Sequence, residues 1–224
     1  MYRIVVILIV SALGFSCNKR YEIEGTSSVS SLDGKMLFLK VGRGDESVKI
    51  DSSEVIHGSF RMSGTIDEPQ MASLYMDERF IMPFVIECGH INICINNVGM
   101  KVNGTALNDS FNAFVEKQNA LSDRAYEVET LESKMIMDGV SNDKVDDEIG
   151  RRREKLSDEM NSLVKIFIRE NYNNVLGTGV FLLLCGDMID PMRSPLVKDI
   201  LDGAPDGFRE SPEIKKFLSF TDEY

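Results

Sequence analysis

The sequence predicts an α+β protein: an N-terminal antiparallel β-sandwich or partly closed barrel, then a C-terminal helical unit with a long helical hairpin. Two observations predict it. Apolar residues alternate with polar ones over residues 21–102, broken by turn residues at short spacings, and from Leu107 onward they recur at steps of three, four or seven. The period changes within residues 102–114. There Asn103-Gly104 is turn chemistry, and either Thr105 or Asn108 supplies an N-cap oxygen to a helix carrying Leu107, Phe111 and Phe114 along one face. The chain divides accordingly into a signal segment (residues 1–16), a β-rich unit (17–103) and a helical region packed on it (104–224).

The first segment has the order of a secretory signal: Arg3, an apolar run over residues 4–13, then Gly14-Phe15-Ser16 before Cys17. A Ser followed by Cys resembles a bacterial lipobox, in which the cysteine is acylated and becomes the first mature residue. Gly14 stands where that pattern usually has Leu, so a plain cleaved signal peptide is the other reading. Acylation at Cys17 makes a membrane the first expected partner, through buried acyl methylenes rather than a spanning helix.

In the β-rich unit, residues 21–25 alternate cleanly and Asp33-Gly34 is a tight-turn pair. Residues 36–41 read as a buried strand, and residues 48–51 as a second one. Residues 55–64 read as a hairpin turning at His57-Gly58. Residues 72–76, 80–87 and 91–96 complete seven or eight short strands, the last two joined through a turn at Cys88-Gly89.

The first helix then runs about thirty residues, with Leu107, Phe111, Phe114, Leu121, Ala125, Val128, Leu131 and Met135 on one stripe, and stops at Gly139 and Asn142. Val145, Ile149, Leu156, Met160, Leu163 and Phe167 form a second stripe, so the two fold back stripe against stripe. A more uniformly apolar helix follows over residues 175–188. A short helix over residues 196–201 comes next, then a loop over residues 203–207. A last helix opens at Ser211-Pro212-Glu213 and carries Ile214, Phe217 and Leu218.

With a formal charge of -11 and a pI near 4.7, no global basic field gathers phosphates, which argues against nucleic acid as a partner. The basic run Arg151-Arg152-Arg153 lies among acids at helical spacing and reads as a salt-bridged face. Cys88, His90 and Cys94 are the weak candidates for a metal or thiol site. A hairpin at Cys88 separates the two sulfurs by about 15 Å or more at ~3.3 Å per residue, and no fourth ligand is evident. His57 reads as a turn residue. Asp51 with Glu54, and Glu87 with His90, are possible acid-base pairs among 36 carboxylates. Gly42-Arg43-Gly44 lacks the third glycine and following helix of a phosphate loop. Neither a Cys-x-x-Cys nor a nucleophile elbow is present. No catalytic residue and no cofactor is expected. Several of the twelve methionines, Met71 and Met76 among them, are candidates for an adaptable binding surface as well as for core filling.

Four stretches together resemble a family of unknown function found at the N-terminus of Bacteroidota lipoproteins, commonly ahead of a thioredoxin-like or peroxiredoxin-like domain. They are residues 21–25, residues 57–60 with Gly64, residues 84–91 and residues 102–109. The resemblance covers the first hundred mature residues and offers no catalytic residues to carry over. It implies the accessory half of a redox lipoprotein, without the thioredoxin-like half. The expectation is therefore a non-catalytic, lipid-anchored envelope protein that binds an envelope protein or a small molecule in a hydrophobic groove between sheet and helical hairpin. An accessory role in a thiol-disulfide system is the alternative, and an envelope-polymer hydrolase a third class. Asn18-Lys19-Arg20 after the cysteine favours the periplasmic side of the outer membrane over the cell surface.

Overall fold

The computed structural model describes residues 19–43, 46–186 and 188–221. Residues 1–18 lie outside it, and with them the signal segment and Cys17; so do Gly44 and Asp187.

Among the described residues the chain forms eight strands and then six α-helices. The strands are β1 (Arg20–Ser27), β2 (Met36–Arg43), β3 (Glu46–Glu54), β4 (Ser59–Thr65), β5 (Gln70–Met76), β6 (Arg79–Ile86), β7 (Gly89–Ile95) and β8 (Met100–Asn103). They make two four-stranded sheets, ordered β4-β1-β7-β8 and β3-β2-β5-β6. Period-two alternation gives each sheet one apolar face. Tyr21, Ile23, Phe60, Met62, Ile91, Ile93 and Val102 come from the first sheet, and Leu37, Leu39, Leu74, Met82, Phe84 and Ile86 from the second, and all join one core.

The two sheets do not close into a barrel. Where β3 and β4 approach, side chains bridge the gap: Asp51 Oδ2 accepts the Ser63 N–H at 3.1 Å, and Ser53 Oγ accepts the Arg61 N–H at 3.3 Å. These bonds satisfy backbone donors that a continuous ladder would have paired, on edges that would otherwise invite another chain.

Three expectations about pairing are corrected. The sandwich is not wholly antiparallel, because β1 and β7 run parallel from Tyr21 opposite Gly89 to Ser27 opposite Ile95. The turn at His57-Gly58 exists, with φ of 51° and 71°, but its arms part beyond the Ile56–Ser59 bridge: β3 joins β2 and β4 joins β1. Cys88 is not at a hairpin tip, since β6 and β7 belong to different sheets and residues 87–88 cross between them. In each case the local turn or strand was legible, but the partner was set by which sheet had a free edge.

The helices are α1 (Ala106–Met137), α2 (Asn142–Glu170), α3 (Val175–Gly186), α4 (Pro195–Asp202), α5 (Asp206–Arg209) and α6 (Pro212–Thr221). At 32 residues α1 is about 48 Å long at ~1.5 Å per residue. It packs antiparallel on α2, with Phe114 stacked on Phe167 at 4.2 Å between ring centroids near the sheets. Farther out, Val128, Val145, Ile149 and Leu156 form a separate small core. The expected stripes hold in outline. Ala125 is exposed, and the last turns of α2 bury Val164 and Ile168 as well, because that end also meets α3.

Arg124 pairs with Glu159 and Arg153 with Glu132 across the hairpin, while Arg151 and Arg152 both hold Glu148. The arginine run is thus a salt-bridged face. Residues 203–207, expected as loop, include the start of α5, a single turn entered from Pro205 that buries Phe208.

Candidate functional site

The helical unit is fixed to the sheets by a side chain that acts as a piece of strand. β6 is an edge strand of the second sheet, so Val85 presents an N–H and a C=O with no strand beside them. Asn108, in the first turn of α1, supplies both partners. Its Oδ1 accepts the Val85 N–H at 2.9 Å, and its Nδ2 donates to the Val85 carbonyl at 2.7 Å and to Thr105 Oγ1 at 2.8 Å. Both residues are fully buried. A carboxamide carries a donor and an acceptor at the spacing of a peptide group, so it closes the edge without a strand.

Glu87 completes the junction. Its Oε1 accepts the N–H groups of Leu107 at 3.0 Å and Asn108 at 3.3 Å, capping α1 from the connection after β6. A carboxylate there also complements the helix dipole. Thr105 is the N-cap residue by position, though its side chain makes no cap bond. Asp109 Oδ1 in turn accepts the Gly104 N–H at 2.9 Å.

With α1 held on the β6 edge, α3 lies on the outer face of β5, where Gly179 meets Met71. A Cβ on Gly179 would come within 2.4 Å of the Met71 side chain, so only a glycine allows this approach. Gly177 touches the preceding turn even more closely, 2.3 Å from the Asn171 carbonyl oxygen to an added Cβ. Beside that contact a groove of about 630 Å³ remains open, within the ~300–1,000 Å³ usual for ligand pockets. Gly42, Met71, Val175, Leu182 and Phe208 line it, as do the polar Gln70, Asn173, Thr178 and Glu213. Tyr172 forms one wall, its ring 4.8 Å from that of Phe208 and its hydroxyl donating to the Ile200 carbonyl at 2.6 Å. Burial raises the Tyr172 pKa.

This groove lies between the sheet and α3, α5 and α6, not between the sheet and the helical hairpin. The hairpin meets the sheets through α1, which packs on β8 and β6.

The other sequence candidates lie elsewhere. Glu87 and His90 do not pair: Glu87 caps α1, while the His90 ring lies 3.5 Å from Glu22 and 3.3 Å from Glu24 on the outer face of the first sheet. Asp51 accepts the Ser52 N–H at 2.7 Å as well as that of Ser63. Cys88 and Cys94 are exposed free thiols. Among the described residues, no three His, Cys, Asp or Glu side chains are placed to hold a metal ion. Cys185 is a buried free thiol, and burial pushes it up to about 12. No described helix is long and apolar enough to cross a membrane.

Sequence reading missed Asn108 as the clamp, Glu87 as the distant cap, and the polar side chains around the groove. One signal for the first was present: Asn108 sits beside Leu107 and three residues before Phe111, a polar residue on an otherwise apolar face.

Residues 21–111 match the family model of a domain of unknown function (DUF4369). The match runs to Phe111, so it takes in the sandwich from Tyr21 onward and the Asn108 clamp. No significant match was found among curated proteins or among solved structures.

Proposed function

We propose that this chain, with its domain of unknown function as the β-sandwich, is a non-catalytic, lipid-anchored protein of the cell envelope that binds a ligand in the groove beside α3. The observation that carries the reading is the groove itself: a concave site lined by apolar and polar side chains between the sheet and the packed helix α3. The carboxylates that sequence pairing offered as acids or bases serve as backbone caps instead, Asp51 at the β3–β4 seam and Glu87 at α1.

The anchor rests on the order of residues 3–17 and on acylation of Cys17. Asn18-Lys19-Arg20 favours the periplasmic face of the outer membrane. The second reading, an accessory to a thiol-disulfide system, is favoured by the exposed free thiols of Cys88 and Cys94 and would bypass the groove.

A plug tests the groove reading. A Cβ on Gly42 meets nothing within 4 Å, and its φ lies outside the left-handed region, so Gly42→Tyr fills the groove with little strain. A ligand screen by thermal shift should give hits on the native protein that vanish in Gly42→Tyr. Equal hits on both proteins would place binding elsewhere and refute the proposal.

A further inference from the structure

We infer that the groove's ligand is a short extended peptide with apolar side chains and one ammonium group; this rests on the reading that the groove is a ligand site. Pairing of β2 with β5 ends at Val41 opposite Ala72. Yet β2 runs on to Arg43 against β3, and β5 begins earlier, at Gln70, against β6. The pairing of the two central strands therefore ends where Gly42, Gln70 and Met71 line the groove. An extended segment is the ligand that a parted pair of strands accommodates, as in strand addition at sheet edges.

The side chains agree. The side chains of Gln70, Asn173 and Thr178 make no hydrogen bond among the described residues, so their donors and acceptors are available to an occupant. The two carboxamides offer both functions and match peptide groups, whereas a bare acyl chain would leave them unpaired. Among the described residues Glu213 is the single charged lining residue and no Lys or Arg lines the site, which disfavours phosphates and carboxylates and favours a cation on a chain of net charge -11.

The test uses three probes on the full chain by calorimetry: the tetrapeptide acetyl-Lys-Leu-Val-Leu amide, its acetyl-Glu-Leu-Val-Leu amide counterpart, and dodecyl maltoside below its micelle concentration. The lysine peptide should bind and the glutamate peptide should bind several-fold more weakly. Gly42→Tyr should abolish binding, and Gln70→Ala with Asn173→Ala should weaken it about tenfold, the loss expected from one or two net hydrogen bonds. Glu213→Gln should weaken the lysine peptide about two- to five-fold, as for a solvent-exposed ion pair. Binding of the detergent but neither peptide, blocked by Gly42→Tyr, would overturn the peptide inference and leave the groove reading standing. No binding of any probe, with no effect of the plug, would count against both. Circular dichroism of each variant checks that the fold is kept.

Discussion

Replacing Asn108 by Ala removes the clamp between α1 and the β6 edge. The Val85 N–H and C=O would both lose their partner in a fully buried position. An unsatisfied buried backbone group costs about 1–3 kcal/mol, so the two together predict a loss of about 2–6 kcal/mol, lower if water enters the gap left by the side chain. That is a large share of the stability usual for a domain, roughly 5–15 kcal/mol. Urea unfolding followed by circular dichroism gives the number, with the slope checking that both proteins unfold over the same surface. Asn108→Asp keeps the acceptor but not the donor, and adds a buried charge, so it should be no milder. A loss below about 1 kcal/mol for Asn108→Ala would mean that the amide is not the clamp and that apolar packing holds the helices to the sheet.

Three further outcomes follow from other parts of the molecule. Gly177→Ala should destabilise by about 1–3 kcal/mol, because its Cβ would meet the Asn171 carbonyl, whereas Gly42→Ala should change stability little; paired urea titrations compare them. In the folded protein at mildly alkaline pH, iodoacetamide should modify Cys88 and Cys94 and spare Cys185, whose thiol is buried and pushed up to about 12, and peptide mapping before and after denaturation reads this directly. Hydrogen bonds from Lys101, Arg152, Arg124 and Lys165 lower the carboxyl pKa of Glu116, Glu148, Glu159 and Asp199 respectively. Their contribution to stability is present above the unfolded carboxylate range near ~4 and fades as pH falls through the lower folded values. Thermal melts across that range should fall less steeply for Glu159→Gln than for the native chain; parallel curves would show that the Arg124–Glu159 pair adds nothing.

Elements set by local chemistry were readable from the sequence. The alternation of Tyr21 and Ile23, the His57-Gly58 turn, the Phe111–Phe114 stripe and the Ser211-Pro212 helix start all depend on residues near each other in the chain. What escaped depends on distant partners. The parallel match of β1 with β7 and the parting of the β3–β4 arms follow from sheet edges available only after both sheets assemble. Asn108 reads as a cap candidate because the strand it completes lies 23 residues earlier. The groove beside α3 was not legible, since the contact of Gly179 with Met71 that places α3 has no periodic signal.

The most direct test of the whole account is native mass spectrometry of the protein released by mild detergent from its own membrane, compared with Gly42→Tyr. The account predicts a chain beginning at an acylated Cys17 with a non-covalent ligand that the Gly42→Tyr protein lacks. An unacylated chain that is ligand-free in both forms would contradict the anchor and the groove together.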